Sequence, residues 1–434
     1  MTTKEREGVV GWQGDKSVKL LKCSTESTGT MKQYYKELHE AKERGEPVIW
    51  TSTFEPQEIF RAMGLNLFFM VHYSALCAAK QMSRRYLDNL QKRGWSRDIC
   101  RYCGQRLGCL LDEHPEDAPW GGPPQPDLIV RSSVDDLQSK IEELMAEQMK
   151  CPIYIMDRTW PIRTSKGAWH VLDVPDYRIE YIVKQYRELI GLLEFMFHKT
   201  LDMEKLKEAV RNSVEIYRLW WEVGQLRKTV PAPITSSDHW PNIIPLQFFR
   251  GTKKGVDMVR RYHDEVKERV DKGLAAVPNE RIRLMWPGAP PWFTAGFFNA
   301  FEEKYGAVFV WEVYGYHFQE WFHKVDAEKP MEALAKLYGI YSEEIMNAPS
   351  SVEVMVEHAQ EYSVDGVILL LVESCKAYSN SILLSQRALS KAGIPSMILR
   401  QDIVDIRDWD DHRVKAQVSA FIETLDPERR LKRR

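Results

Sequence analysis

The sequence has no apolar run approaching the roughly 18 residues that a membrane-spanning helix needs. Its start, MTTKEREGVV, is charged where a signal peptide would be apolar. These absences argue against a membrane protein and predict a cytoplasmic location. Neither sign of charge predominates, because the chain has 60 basic and 62 acidic residues and a net charge of −2. Only the tail DPERRLKRR is densely basic, so nucleic acid is not expected as a main partner.

Cysteine is scarce, with seven in 434 residues. An odd number of thiols in a reducing compartment is poor material for disulfides. Three of them, Cys100, Cys103 and Cys109, nonetheless lie together in SRDICRYCGQRLGC. The CxxC pair of Cys100 and Cys103 suits one metal ion or one edge of an iron-sulfur cluster. Because no second CxxC is present, the residues alone leave open a cluster, a zinc site and plain packing.

Motifs of nucleotide chemistry are absent. The sequence has no phosphate-binding loop, no G-x-G-x-x-G after a strand and no G-x-S-x-G elbow. Local motifs therefore do not indicate nucleotide hydrolysis or hydride transfer from a nicotinamide. With 44% hydrophobic residues, the chain is long enough to bury a large core divided among two or three domains.

Alternating strand and helix patterns fill two parts of the chain. The first part has the apolar stretches EPVIWTSTF, LNLFFMVHY, PDLIVRSS and CPIYIMD, and the second has RIRLMWP, AVFVWEVYG, DGVILLLVESC and PSMILRQD. Such alternation predicts parallel sheets with helices on their faces. We therefore predict an α/β protein with an N-terminal helical segment (1–46), a first α/β domain (47–175), a helical connection (176–275) and a second α/β domain (276–434).

Ligands of open parallel sheets gather beyond the carboxyl ends of the strands. In the first domain this rule selects Thr51, Ser52 and Thr53, which follow the first strand, and residues 132–136, which follow another. His72 and Tyr73 end the next apolar stretch. They would either face a pocket or serve as structural residues.

In the second domain the same rule selects the stretch 287–292 and Cys375, which follows DGVILLLVE. Trp292 and Phe293 would pack on an acyl or aromatic ring, although APPWF equally suits a turn around a core tryptophan. HWPNIIP around His239 is interpreted as a proline-bounded loop.

Four segments resemble, in order, the large subunits of 2-hydroxyacyl-CoA dehydratases and ATP-dependent benzoyl-CoA reductases. They are ERGEPVIWTSTFEPQEIFRAMGLNLFF, GWSRDICRYCGQRLG, RGTKKGVDMVRRYHDEVKERV and VDGVILLLVESCKAYSNSILLSQRALSKAGIPSMILRQDIVD. The resemblance implies two flavodoxin-like α/β domains with a [4Fe-4S] cluster between them. It also implies a related second large subunit, an ATP-hydrolysing iron-sulfur activator that delivers one electron, and an acyl-CoA or aroyl-CoA substrate that reacts through a ketyl radical.

Carried over position by position, the resemblance makes Cys100 the first cluster ligand and Cys375 the last. The family's middle cysteine falls in the loop after PDLIVRSS, where this chain has Val134, Asp135 and Asp136. One ligand of the family's set is therefore missing.

Cys103 is the nearest thiol that would replace the missing ligand, with Cys77 in reserve. The rival is an oxygen ligand from Asp135 or Asp136. The remaining thiols are expected to be small packed residues: Cys23, Cys109 and Cys151.

The resemblance also assigns the substrate pocket. Thr53 matches a serine or threonine of the dehydratases, whereas a Pro-Glu pair is replaced by Met70 and Val71. His72 would then take over proton transfer from the lost carboxylate. The departures also allow a second hypothesis, a degenerate subunit that binds its partner, with or without CoA, and has no active cluster.

Overall fold

The computed structural model describes residues 17–133, 136–157, 175–313, 320–346 and 350–425. Strands in these residues form two parallel sheets. The first sheet contains β1 (Val48–Thr51), β2 (Asn66–Phe69), β3 (Leu128–Ser132) and β4 (Ile153–Met156) in the order β2-β1-β3-β4. The second contains β5 (Ile282–Trp286), β6 (Ala307–Glu312), β7 (Gly366–Leu371) and β8 (Ser396–Arg400) in the order β6-β5-β7-β8.

The helices of the described residues lie before, within and between the two sheet regions. They are α1 (Lys22–Glu43), α2 (Gln57–Ala62), α3 (Met70–Ala79), α4 (Ser83–Lys92), α5 (Arg101–Leu110), α6 (Asp136–Met149), α7 (Asp176–Phe197), α8 (Met203–Arg227), α9 (Ser236–Phe248), α10 (Lys253–Asp271), α11 (Glu302–Tyr305), α12 (Pro330–Met346), α13 (Ser350–Glu361), α14 (Lys376–Ser379), α15 (Ile382–Lys391) and α16 (Asp411–Leu425).

The two sheets share one strand order, which is that of a flavodoxin-like fold. Every residue of β1, β3, β5 and β6 is buried, as expected for parallel strands covered on both faces. The predicted fold class is therefore confirmed. Strands β1–β4 fall within 47–175, α7–α10 within 176–275 and β5–β8 within 276–434. The domain boundaries themselves stay a prediction.

The helical connection joins the two sheet regions into a shared interior. One core runs from the first sheet through α7, α8 and α10 to residues of the second sheet such as Val308 and Val367. A second core fills another part of the second sheet and includes Leu284, Trp286 and Phe309. Contacts between the domains are thus fixed by packing.

Two local expectations were wrong. In LNLFFMVHY the strand ends at Phe69, and α3 begins at Met70. The helix buries Met70, Tyr73, Ser74, Cys77 and Ala78, a three-and-four spacing that marks a helical face, so the apolar run spans a strand-to-helix junction.

The interpretation of HWPNIIP as a loop was also wrong, because α9 runs through it and contains Pro241 and Pro245. The Thr235 hydroxyl accepts a hydrogen bond from the Ser237 amide at 3.2 Å at the start of this helix. Burial of most of the residues of α9, including His239, outweighs the local effect of the prolines.

Candidate functional site

Two of the residues predicted at the end of β1, Thr51 and Ser52, hydrogen-bond to the carboxylate of Glu55. The Thr51 and Ser52 hydroxyls donate to Glu55 Oε2 at 3.2 and 2.6 Å, and the Ser52 amide donates to the same oxygen at 2.6 Å. Glu55 Oε1 accepts from the Ser132 amide at 2.8 Å. Glu55 is fully buried and therefore ties the end of β1 to the end of β3.

Sequence reasoning missed Glu55 and its ion-pair partner. Arg131, in the apolar strand β3, places Nη1 3.6 Å from Glu55 Oε2. The signals were an acid four residues after Thr51 and an arginine inside LIVRS. A charge inside a buried strand is costly unless paired, so Arg131 required an acidic partner.

Thr53 is held by its backbone. Its carbonyl oxygen accepts a hydrogen bond from buried Arg250, whose Nη1 donates to the Tyr217 hydroxyl at 2.9 Å. The same guanidinium lies 4.9 Å from the centre of the Tyr338 ring. A fixed positive charge therefore stands beside the loop after β1.

His72 lies in the first turn of α3 and hydrogen-bonds through Nε2 to Gln247 Oε1. Burial lowers its pKa to about 3, against the effect of the Gln247 bond, and the nearby charges of Arg250 and Arg131 lower it further. His72 is consequently neutral at physiological pH. Its place near Arg250 puts it in the neighbourhood of the Thr53 loop.

Tyr73 and Phe293 are both buried in packed surroundings. The Tyr73 hydroxyl donates to the Pro119 carbonyl at 2.8 Å, and the Phe293 ring lies 5.3 Å from that of Trp409. Trp292 is half-buried, and its ring lies edge-on to Trp240 at 6.0 Å. The structure therefore packs Tyr73 and Phe293 in the interior and leaves Trp292, the tryptophan of APPWF, as the more accessible ring.

Three predicted ligands come together from two domains. Cys100 is the residue that precedes α5, Cys103 lies in its first turn, and Cys375 is the residue that precedes α14 after β7. A hydrogen bond with Cys103 lowers the pKa of Cys100, but the Cys375 thiol and burial raise it to about 12. Cys100 therefore contacts both of the other thiols, although the CxxC pair sits at a helix start and not in an open loop.

An ion-pair cluster holds these two domains together beside the thiols. Arg101 Nε lies 3.3 Å from Asp405, and its Nη1 lies 3.5 Å from Asp402 and also binds Asp408. The Ser374 hydroxyl donates to Asp402 at 2.6 Å. We call Arg101 with these three aspartates the domain clamp; it fixes the start of α5 against the loop that carries Cys375.

The thiol donors fit an iron-sulfur cluster in kind, because such clusters are bound by cysteine thiolates. Within the described part of the chain, no group of three or more His, Cys, Asp and Glu side chains is arranged to hold a single metal ion. Val134 and Asp135, from the loop of the missing ligand, lie outside the described residues, and the side chain of Asp136 is not described either.

The other four cysteines do not join this group of thiols. Cys77 and Cys109 are buried and hydrogen-bond to each other, whereas Cys23 and Cys151 are half-buried elsewhere. Their positions agree with the expectation of packed residues. Cys77, the reserve ligand, is therefore paired with Cys109 and not with Cys100 or Cys375.

Comparison with known proteins identifies the family. The sequence model for 2-hydroxyglutaryl-CoA dehydratase, D-component, matches residues 52–425. The alpha subunit of (R)-2-hydroxyisocaproyl-CoA dehydratase from Clostridioides difficile is 24% identical over 405 residues, which cover 92% of this chain and 95% of the relative. A benzoyl-CoA reductase subunit from Thauera aromatica is 27% identical over 419 residues, which cover 91% of this chain and 92% of the relative.

Two flavodoxin-like sheets with hydroxyl, carboxylate and thiol side chains gathered beyond the strand ends define an α/β protein whose ligand site is expected at those ends. The chain belongs to the 2-hydroxyglutaryl-CoA dehydratase D-component family. It is thus an enzyme subunit of the 2-hydroxyacyl-CoA dehydratase and benzoyl-CoA reductase type, as the resemblance implied. Among the described residues, no helix is long and apolar enough to cross a membrane. The cytoplasmic location stays a prediction.

Proposed function

We propose that this chain is a large subunit of a [4Fe-4S]-dependent CoA-thioester reductase or 2-hydroxyacyl-CoA dehydratase. Cys100, Cys103 and Cys375 would hold the cluster, and their meeting across two domains is the observation that carries the proposal. A bound cluster would supply electrons for one-electron, ketyl-type reduction of an acyl-CoA or aroyl-CoA. A related second subunit completes the enzyme, and an ATP-hydrolysing iron-sulfur activator is the source of the electron.

The loop after β1 is built to hold the thioester carbonyl. One-electron reduction places negative charge on the carbonyl oxygen, so fixed donors and cations near that oxygen stabilise the reaction. The Thr53 hydroxyl is the proposed donor, and Arg250 is the cation bound to the same residue. Glu55 holds Thr51 and Ser52, which keeps the loop in one conformation before substrate arrives.

His72 is the proposed proton carrier in place of the family's missing carboxylate. Its Nε2 is occupied by Gln247, whereas its Nδ1 is buried without a hydrogen-bond partner among the described residues. Nδ1 is therefore the atom that would take a proton. Because burial lowers the pKa of His72, its protonated form is scarce at neutral pH, so His72 would act as a relay that takes a proton and passes it on at once to a leaving hydroxyl.

Trp292 is the proposed contact for the acyl or aromatic group. It is the partly exposed member of the predicted pair, and Trp240 stands edge-on beside it. The accessible part of the Trp292 indole suits contact with an aromatic ring or an apolar acyl chain.

Metal analysis of anaerobically purified protein, alone and co-expressed with a related subunit, tests this function. About four irons and four acid-labile sulfides per chain are expected for a [4Fe-4S] cluster. No iron, even after reconstitution, would contradict the proposal. It would favour the degenerate partner subunit that Met70 and Val71 and the lost middle cysteine suggest. Bound zinc without sulfide would instead identify a zinc protein.

A further inference from the structure

A buried arginine points at one of the thiols. Arg106 and Cys103 are three residues apart on α5, and Arg106 Nη2 donates to Cys103 Sγ at 2.8 Å. Both side chains are buried, and Arg106 is only 1% exposed. Water therefore does not screen the guanidinium from the sulfur.

A chain of buried charges holds Arg106 in this position. Its Nη1 donates to Glu142 Oε1 at 2.6 Å, and the same oxygen lies 3.2 Å from Arg131 Nε. Arg131 in turn faces Glu55 at 3.6 Å. The four residues Glu55, Arg131, Glu142 and Arg106 form the buried charge chain, in which acids and guanidiniums alternate from the loop after β1 to the thiols.

The direction of the guanidinium is thereby fixed. One of its nitrogens is bound to an acid on α6 and another to sulfur, so the group cannot turn away to solvent. Hydrogen-bond donors and positive charges near cysteine sulfur raise the reduction potential of an iron-sulfur cluster, since they stabilise the more negative, reduced form. The effect is strong where the effective dielectric constant is low.

We propose that Arg106 is a positioning residue that raises the reduction potential of a cluster bound by Cys103 and orients that ligand. The proposal rests on the proposed function, because it needs a cluster in this chain. It assigns a role to a residue outside the strand-end loops. In this proposal the buried charge chain anchors Arg106.

Potentiometric titration of the anaerobically purified complex, followed by electron paramagnetic resonance, tests the proposal. Arg106→Gln should shift the midpoint potential to a more negative value. Glu142→Gln removes the negative charge that offsets Arg106 and should shift it the other way. Lys140→Gln alters an exposed charge on the same helix, α6, and should leave the potential unchanged.

The double variant Arg106→Gln, Glu142→Gln keeps a neutral, hydrogen-bonding pair and guards against a single variant that fails to fold. Its potential should be more negative than that of Glu142→Gln alone. Unchanged potentials in iron-replete variants, or shifts of the same sign in Arg106→Gln and Glu142→Gln, would overturn the role of Arg106. Absence of iron from the wild-type complex would instead overturn the proposed function, and this inference with it.

Discussion

The buried carboxylate of Glu55 determines how the loops after β1 and β3 are arranged. Glu55 accepts hydrogen bonds from the Thr51 and Ser52 hydroxyls and from the Ser52 and Ser132 amides while it faces Arg131. The carboxylate is fully buried, so these donors replace its hydration. Its removal would release two strand ends at once.

Glu55→Gln should therefore destabilise the chain. Glutamine keeps the shape but leaves Arg131 without one of its acids and turns an amide donor toward the existing donors. Breaking a buried pair in this way costs about 3 kcal/mol of unfolding free energy. The urea midpoint measured by circular dichroism checks this. Glu113→Gln, at an exposed position, is the control and should change it little.

His72 gives a pH dependence whose sign is fixed by its environment. The ordinary histidine pKa is 6.5, and burial lowers that of His72 to about 3. The unfolded chain therefore binds this proton at higher pH than the folded chain does. The contribution of neutral His72 to stability is complete above pH 6.5 and is lost as the pH falls from 6.5 toward 3.

Replacing His72 should weaken this acid sensitivity. Between about pH 7 and pH 5 the free energy of unfolding should fall in both proteins. The decrease in His72→Gln should be smaller than that in the wild type by roughly 1–2 kcal/mol. Urea unfolding at several pH values measures the difference. His114→Gln alters a histidine that is 64% exposed and should follow the wild type. An unchanged pH slope in His72→Gln would show that His72 does not titrate as described.

At the scale of elements, α5 positions two of the three proposed cluster ligands and the arginine of the domain clamp. Cys100 precedes this helix, Cys103 lies in its first turn, and Arg101 binds the aspartates of the second domain. The CxxC spacing could be read directly from the sequence, but the helix start could not, because RYCGQRLGC has no strong apolar period and no side-chain cap. The same limit explains α3, whose helical face was hidden in a continuous apolar run.

Loss of the domain clamp should separate the thiols of the two domains. In metal-free protein, mild oxidation with diamide removes two electrons and two protons and joins Cys100 to Cys375 as a disulfide. Arg101→Met should lower the yield of this disulfide severalfold, as measured by peptide mass spectrometry. Arg413→Met, at an exposed position on α16, is the control. Equal yields in all three proteins would mean that the clamp does not set the thiol positions.

At the scale of the whole molecule, two sheets of one strand order are joined by a helical connection into a continuous interior. Apolar strands and their alternation with helices were sufficient to predict two parallel-sheet regions joined by helices, whereas the flavodoxin-like character was expected only through the resemblance. The meeting of Cys100 and Cys375 was expected only through the resemblance, since the contacts that enforce it join Arg101 to acids about three hundred residues further along the chain. Glu55, Arg131, Glu142 and Arg106 were missed for the same reason: an arginine inside an apolar strand signals a buried ion pair, but the local pattern does not say which acid pairs with it.

Iron and sulfide retained by single cysteine variants test the central claim most directly. Cys100→Ser, Cys103→Ser and Cys375→Ser should each lose most of the cluster iron and its visible absorption in anaerobically purified protein. Cys23→Ser, Cys109→Ser and Cys151→Ser should keep both. The claim for Cys103 is contradicted if Cys103→Ser keeps full iron while an Asp135→Ala, Asp136→Ala double variant loses it, because the original loop would then supply the third ligand.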